Sequence, residues 1–158
     1  MVTFAGIMLV YAAALLSVIP LRRRLHPILI ACGYWVSVIL FEQLFTVLSL
    51  NLRMLEIAPG PFAVWSCRLY GLTLYPAALL WSAAILSGRA SRPVKIVTIP
   101  LFVGLMILFD YILFWAGWLV QHRWIAAYSL IRHSVIIVIL LSVLAGIRQM
   151  LRKGASAP

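Results

Sequence analysis

Ionisable side chains within long apolar stretches are the part of this sequence that could do chemistry. Five of them lie several residues from the nearest loop, in four separate apolar segments: Glu42, Arg68, Asp110, Arg132 and His133. An unpaired charge near the middle of a membrane costs about 2.5 to 3.5 kcal/mol on insertion scales, so such residues are rare and mark functional sites by default. We expect them to form one polar site, either an ion-pair network or a cavity that binds a lipid head group, a solute or protons.

The order of these residues predicts their pairing. Consecutive helices joined by short loops usually pack together, which favours Glu42 with Arg68 and Asp110 with Arg132. The crossed pairing, with the two arginines exchanged, stays open. At about 1.5 Å of rise per residue, all five side chains lie about 9 to 15 Å below the same membrane boundary. The formal charges of the two acids and two arginines sum to zero.

Neighbouring polar and aromatic residues are predicted to support this layer. Helical spacing places a semi-polar stripe on the second apolar segment, and we expect the stripe to face the interior of the bundle. Its members are Trp35, Ile39, Glu42, Thr46 and Ser49. On the last segment one face carries Tyr128 with Arg132, and the adjacent face carries Ser129 with His133. The predicted supporting residues are Trp35, Thr46, Tyr111, Tyr128 and Ser129.

Catalytic motifs are absent from the sequence. It contains no H-E-x-x-H pattern, no clustered cysteine and histidine ligands, no G-x-S-x-G turn and no phosphate-binding loop. We therefore predict no catalytic residue, no cofactor and no metal site, and we expect a protein that is not an enzyme.

The elements that must position the polar layer are long apolar helices. Of the 158 residues 65% are hydrophobic and 10% are charged, with a mean hydropathy of +1.11. This composition excludes a soluble enzyme, a disordered chain and a disulfide-stapled domain. A membrane-spanning helix needs about 20 apolar residues. The sequence predicts an all-α polytopic membrane protein, a single domain of five transmembrane helices at about 2–20, 27–50, 62–87, 96–120 and 125–146, followed by a basic tail at 147–158.

The distribution of the 13 Lys and Arg residues predicts the orientation. The first loop, the third loop and the tail carry nine of them, and the second and fourth loops carry two. The positive-inside rule then places the N-terminus outside and the C-terminus in the cytoplasm. No basic residue precedes the first span, so we expect a retained helix and not a cleaved signal peptide.

The basic residues are divided among membrane-edge segments, which favours contact with anionic lipid and not with nucleic acid. The predicted lipid contacts are Arg22, Arg23, Arg24, Arg89, Arg92, Lys95, Arg152 and Lys153. The expected location is the bacterial cytoplasmic membrane.

Part of the chain resembles small uncharacterised five-span integral membrane proteins of spore-forming Gram-positive bacteria. The matching features are an acidic residue followed by an aromatic one, an aromatic-rich start of the last helix, and a proline after leucine and tyrosine. They read Leu108-Phe109-Asp110-Tyr111, Trp124 to Tyr128-Ser129, and Leu74-Tyr75-Pro76. The resemblance does not extend to Arg68, Arg132 and His133. It implies a membrane location and supplies no activity.

These observations favour a protein that acts by binding, as a subunit or regulator of a larger membrane complex or as a lipid-binding module. The alternative is a small transporter or a proton- or ion-conducting oligomer that uses the same polar layer. A third possibility is an enzyme that acts on a membrane lipid. The expected partners are membrane lipids, together with other membrane subunits or further copies of the chain.

Overall fold

The computed structural model describes residues 2–88, 90–122 and 125–155. Arg89, a predicted lipid contact, and Trp124, part of the predicted family motif, lie outside the described residues. The structure is 84% helical. Its described part contains six α-helices: α1 Val2–Ser17, α2 Pro27–Thr46, α3 Pro61–Leu69, α4 Tyr75–Ser87, α5 Arg92–Trp115 and α6 Ala126–Ala155.

Five helical segments of the described chain are long and apolar enough to cross a membrane. The third combines α3, a π-helical turn at Tyr70–Leu74 and α4. This confirms the predicted all-α fold with five membrane-length helices. The segments are Phe4–Arg23, Pro27–Asn51, Pro61–Ser87, Arg92–Trp115 and Ala127–Lys153.

Four helices form a closed ring, because α2 and α5 each pack against both α4 and α6. The largest buried side chains fill the space between them, among them Tyr70, Tyr75 and Met106. Helix α1 packs on the outside of the ring against α3, α4 and the π-helical turn. Its Tyr11 hydroxyl donates to the Ser66 carbonyl at 3.0 Å, which fixes α1 to α3.

A proline follows the π-helical turn of the third segment and frees a backbone carbonyl within it. Pro76 has no N–H and cannot donate to the carbonyl four residues earlier, which belongs to Leu72. The Tyr34 hydroxyl of α2 donates to that carbonyl at 2.6 Å instead. A neighbouring helix thus satisfies the backbone group that the proline frees, as buried polar groups require.

A glycine in the same turn lets α2 approach closely. A Cβ atom on Gly71 would lie 2.4 Å from Cε1 of Phe41, a distance that side chains do not tolerate. The missing side chain therefore allows the Phe41 ring to lie directly on the backbone of the third segment. This contact holds the end of α2 that carries Glu42 close to α3.

Two short strands close one end of the bundle. Strands β1, Leu55–Ile57, and β2, Leu119–Gln121, pair antiparallel with Leu55 opposite Gln121. They bring together the second and fourth loops, and we call this end the sheet end. The prediction that the fourth span extends to residue 120 is wrong, because α5 ends at Trp115 and Gly117 turns the chain with a φ of +71°.

The opposite end carries most of the basic residues and is called the basic end. It comprises the first and third loops and the C-terminal part of α6. There the indole of Trp81 donates to the Ser17 carbonyl at 3.0 Å, and the Arg24 guanidinium lies 5.3 Å from the centre of the same ring. These contacts fix the arginine-rich loop against α4.

Candidate functional site

The structure separates the five predicted site residues into two groups. Asp110, Arg132 and His133 come together in the core between α5 and α6, with at most 7% of any of them exposed. Glu42 and Arg68 contact each other at the edge of the bundle, where half of the Arg68 side chain is exposed. The pairing that follows helix order is the one the structure adopts.

The Asp110 carboxylate accepts hydrogen bonds from three side chains. Nη2 of Arg132 donates to Oδ1 at 2.8 Å and to Oδ2 at 2.6 Å, and the Ser129 hydroxyl donates to Oδ2 at 3.0 Å. Nε2 of His133 lies 3.0 Å from Oδ2. We call these four residues the Asp110 cluster.

His133 also connects Tyr75 to the Asp110 cluster. Its Nδ1 lies 3.0 Å from the Tyr75 hydroxyl, and the ring is fully buried. Nε2 also lies 3.1 Å from Nη2 of Arg132. A neutral ring with its proton on Nε2 satisfies the contacts with Asp110 and Tyr75, since Nε2 then donates to Asp110 and Nδ1 accepts from Tyr75. Hydrogen bonds therefore connect Tyr75 of α4 to His133 of α6, and His133 to Asp110 of α5.

Helical spacing explains how α6 supplies three members of the cluster. Ser129, Arg132 and His133 are three and four residues apart and so lie on one face of α6. That face meets Asp110 on the antiparallel neighbour α5. Of the five predicted supporting residues, Ser129 is the one that joins the cluster.

Aromatic rings surround the cluster on the side of α2 and α4. The Arg132 guanidinium lies 5.9 Å from the centre of the Phe41 ring, and the Tyr75 ring lies 4.8 Å from Phe41. Tyr70 stacks on Phe109 at 5.6 Å. Sequence reasoning missed Phe41, Tyr70 and Tyr75. Tyr70 and Tyr75 could have been found, because both are amphipathic aromatic residues that precede a proline within an apolar segment.

The other predicted supporting residues lie on the surface. Trp35 and Ile39 have exposed fractions of 62% and 55%, and Thr46, Tyr111 and Tyr128 are exposed as well. The expectation that the α2 stripe faces the interior is wrong. The face of α2 that packs is the one with Gly33, where a Cβ would meet Leu80 and Leu144; it also carries Leu29, Ser37 and Phe41.

An open cleft of about 740 Å³ lies at the sheet end, beside Arg68. Charged and apolar side chains line it together, from the end of α2, β1, α3 and the residue after β2. The lining residues are Phe45, Thr46, Ser49, Leu50, Arg53, Leu55, Glu56, Ile57, Arg68 and His122.

One arginine of the cleft, Arg53, is available to bind an anion. The chain has three acidic residues, and each contacts a basic side chain: Glu42 contacts Arg68, Asp110 contacts Arg132 and His133, and Glu56 lies 3.0 Å from Nε2 of His122. Within the described chain, none of these carboxylates lies within 4.0 Å of the exposed Arg53 guanidinium. Arg53 thus has no acidic side chain as a partner within the described chain, which leaves its guanidinium available to an anion from another molecule.

Two small voids lie between the cleft and the Asp110 cluster. One is bordered by Glu42 and Arg68 and the other by Asp110 and Arg132, and each has a volume of about 10 Å³. That is about the room of a single water molecule. In this conformation a solute larger than water does not fit beside Asp110.

The residues that the structure describes contain no group of three or more His, Cys, Asp or Glu side chains that could hold a metal ion. The expected absence of a metal and of catalytic activity stays a prediction. Comparison of the chain with protein-family profiles, with curated proteins and with solved structures found no match. The resemblance to the membrane proteins of spore-forming bacteria also stays a prediction.

Proposed function

We propose that this protein is a multi-pass membrane protein that acts by binding an anionic amphiphile, a phospholipid above all, in the cleft at the sheet end. The observation that carries the proposal is the mixed lining of the cleft. Arg53 and Arg68 supply positive charge, while Phe45, Leu50 and Ile57 supply an apolar wall. A phospholipid has the matching combination of a charged phosphate and an apolar chain.

Arginine suits the phosphate because its planar guanidinium donates two parallel hydrogen bonds to oxyanions. Arg53 needs no rearrangement to do so, since no carboxylate of the described chain holds it. Arg68 would share its donors between the phosphate and Glu42. The apolar wall would hold the first part of an acyl chain, which loses contact with water on binding.

Transport or proton conduction through the Asp110 cluster has weaker support. The voids beside Asp110 and Arg132 are of single-water size, whereas the cleft has room for a head group. No observation favours the third possibility, chemistry on a membrane lipid.

The orientation forms part of the proposal. We place the sheet end outside and the basic end in the cytoplasm of a bacterial cell, in its cytoplasmic membrane. The supporting observation is the sequence count of nine Lys and Arg residues at the basic end against two in the loops of the sheet end. The basic end then contacts anionic lipid of the inner leaflet. Assembly with other membrane subunits or with further copies of the chain completes the proposal.

Photochemical crosslinking tests the site directly. Protein reconstituted with a photoactivatable phosphatidylglycerol should crosslink in residues 45–57, and a phosphatidylcholine probe should crosslink there less. Arg53→Gln should lower this yield by about threefold, which corresponds to about 0.7 kcal/mol for one exposed charge.

Arg92→Gln is the matched control, because Arg92 is an exposed arginine at the basic end. It should leave the crosslinks in residues 45–57 unchanged. Equal yields with both probes, or equal losses in both variants, would overturn the proposed function.

A further inference from the structure

One aromatic ring borders three cavities in succession. Phe45 lines the cleft, the void beside Glu42 and Arg68, and the void beside Asp110 and Arg132. The cleft also shares Ile57 and Arg68 with the void beside Glu42, whereas it shares Phe45 alone with the void beside Asp110. The cavities therefore follow one another from the sheet end to the Asp110 cluster, with Phe45 beside all three.

Besides Phe45, the two voids share the lining residues Phe41 and Cys67. Cys67 is 5% exposed, and its Sγ contacts the Trp118 carbonyl at 3.8 Å. Cys67 therefore borders both voids between the cleft and Asp110.

The polar atoms at the inner void suit water. A buried water needs a void of at least about 10 Å³ and two to four hydrogen-bonding partners. The inner void borders Asp110 and Arg132, which provide an acceptor and a donor. The outer void lies beside Glu42 and Arg68 but is lined by apolar atoms, so it is an apolar gap between the cleft and the inner void.

Phe41 and Phe45 differ in how firmly they are held. Phe41 is 4% exposed and contacts Tyr70 at 5.4 Å, Tyr75 at 4.8 Å and the Arg132 guanidinium at 5.9 Å. Among the described residues, the aromatic contact of Phe45 is Phe41 alone, at 6.0 Å. Phe45 is also partly exposed and lies just before the π-helical turn Val47–Asn51. Phe45 is therefore the ring that can rotate while Phe41 stays in place.

We propose that the Asp110 cluster is a hydrated site, and that water reaches it from the cleft when the Phe45 ring rotates. Phe45 acts as the barrier, and Phe41 is the fixed wall against which it closes. This goes beyond the lipid-binding function and does not depend on it, since the row of cavities exists without a ligand.

Thiol labelling of Cys67 tests the proposal, because Cys67 lies behind Phe45 on the route. In a Cys32→Ser background, a small water-soluble methanethiosulfonate should label Cys67 slowly. Phe45→Ala should raise the rate about tenfold, which corresponds to ~1.4 kcal/mol in the free energy of opening. Phe45→Trp should lower it below that of the parent. The protein is kept in detergent without added phospholipid, so failure of lipid binding does not affect the result.

Phe62→Ala is the matched control, because Phe62 is an exposed phenylalanine at the sheet end that contacts Phe4 at 4.9 Å. It should leave the labelling of Cys67 unchanged. A second control keeps Cys32 and replaces Cys67 with serine, and Phe45→Ala should not alter the labelling of Cys32. Equal rates in the parent and in Phe45→Ala would overturn the proposal. So would an equal increase in Phe62→Ala or at Cys32, since that would show general loosening.

Discussion

At the scale of single residues, the contacts of Asp110 explain how a charged pair can be stable in the core. Removing a carboxylate and a guanidinium from water costs several kcal/mol for each ion, and their attraction repays this cost only when further hydrogen bonds complete the site. Ser129 and His133 supply those hydrogen bonds to Asp110. The pair is therefore held in one geometry by its neighbours, which suits a role in fixing how α5 and α6 pack.

Breaking this pair from one side is expected to destabilise the protein strongly. Asp110→Asn leaves the Arg132 guanidinium buried without its counter-charge, which we expect to cost about 3 to 5 kcal/mol. The measurement is reversible unfolding in mixed detergent micelles. Ser142→Ala, an exposed change on the same helix α6, should have little effect.

A double variant that removes both charges distinguishes the contribution of the ion pair from that of side-chain packing. Asp110→Leu combined with Arg132→Met should recover much of the loss, because apolar residues of similar size can replace a buried ion pair. A double variant whose loss equals the sum of the single losses would contradict the pairing.

The sequence could predict the charged members of the Asp110 cluster but not Tyr75. Asp110 and Arg132 lie on consecutive spans, so adjacency in the chain favoured their pairing but left the crossed pairing open. The contact between Tyr75 and His133 depends on the rotation of α4 about its axis. That rotation is set by the π-helical turn at Tyr70–Leu74, which a regular helical repeat does not contain.

At the scale of elements, close approach of α2 to the third segment positions both groups of charges. Phe41 lies on the backbone at Gly71 and also under the Arg132 guanidinium, while the next residue, Glu42, contacts Arg68. A shift of α2 would therefore disturb the Asp110 cluster and the edge pair together.

Gly71→Ala is expected to move α2 away. The new Cβ would overlap the Phe41 ring, and we expect a loss of about 1 to 3 kcal/mol, typical of overpacking. Gly104→Ala is the matched control, because apart from its chain neighbours and the nearby backbone of α5, no atom of the described chain lies within 4 Å of its added Cβ. That change should be neutral or stabilise helix α5 by about 0.5 to 1 kcal/mol. Thermal unfolding in detergent would compare the two, and equal effects would contradict the close approach.

The apolar stretches predicted where the helices lie in the sequence but not which face of each helix is buried. In a membrane bundle the lipid-facing surface is as apolar as the core, so the spacing of apolar residues does not distinguish inside from outside. This is why the stripe of Trp35, Ile39 and Thr46 was placed on the wrong face. The β1–β2 pair was missed because its strands have three residues each and lie more than 60 positions apart.

At the scale of the whole molecule, the two ends differ in chemistry. The basic end has many cations and no acidic residue, whereas the sheet end combines Arg53 and Arg68 with Glu56 and an apolar wall. Below the cleft, Phe45 separates these groups from the buried Asp110 cluster. In our account the cleft holds the ligand, the cluster fixes the helices, and Phe45 controls the passage of water between them.

The most direct measurement is native mass spectrometry of the protein extracted gently from its own membrane. We expect an acidic phospholipid to stay bound at a fixed ratio to the chain. Arg53→Gln should lower this ratio more than Arg92→Gln, because Arg92 is one of many cations that contact lipid at the basic end. A chain that carries no lipid, or that retains acidic and zwitterionic lipids equally in both variants, would contradict binding at the cleft.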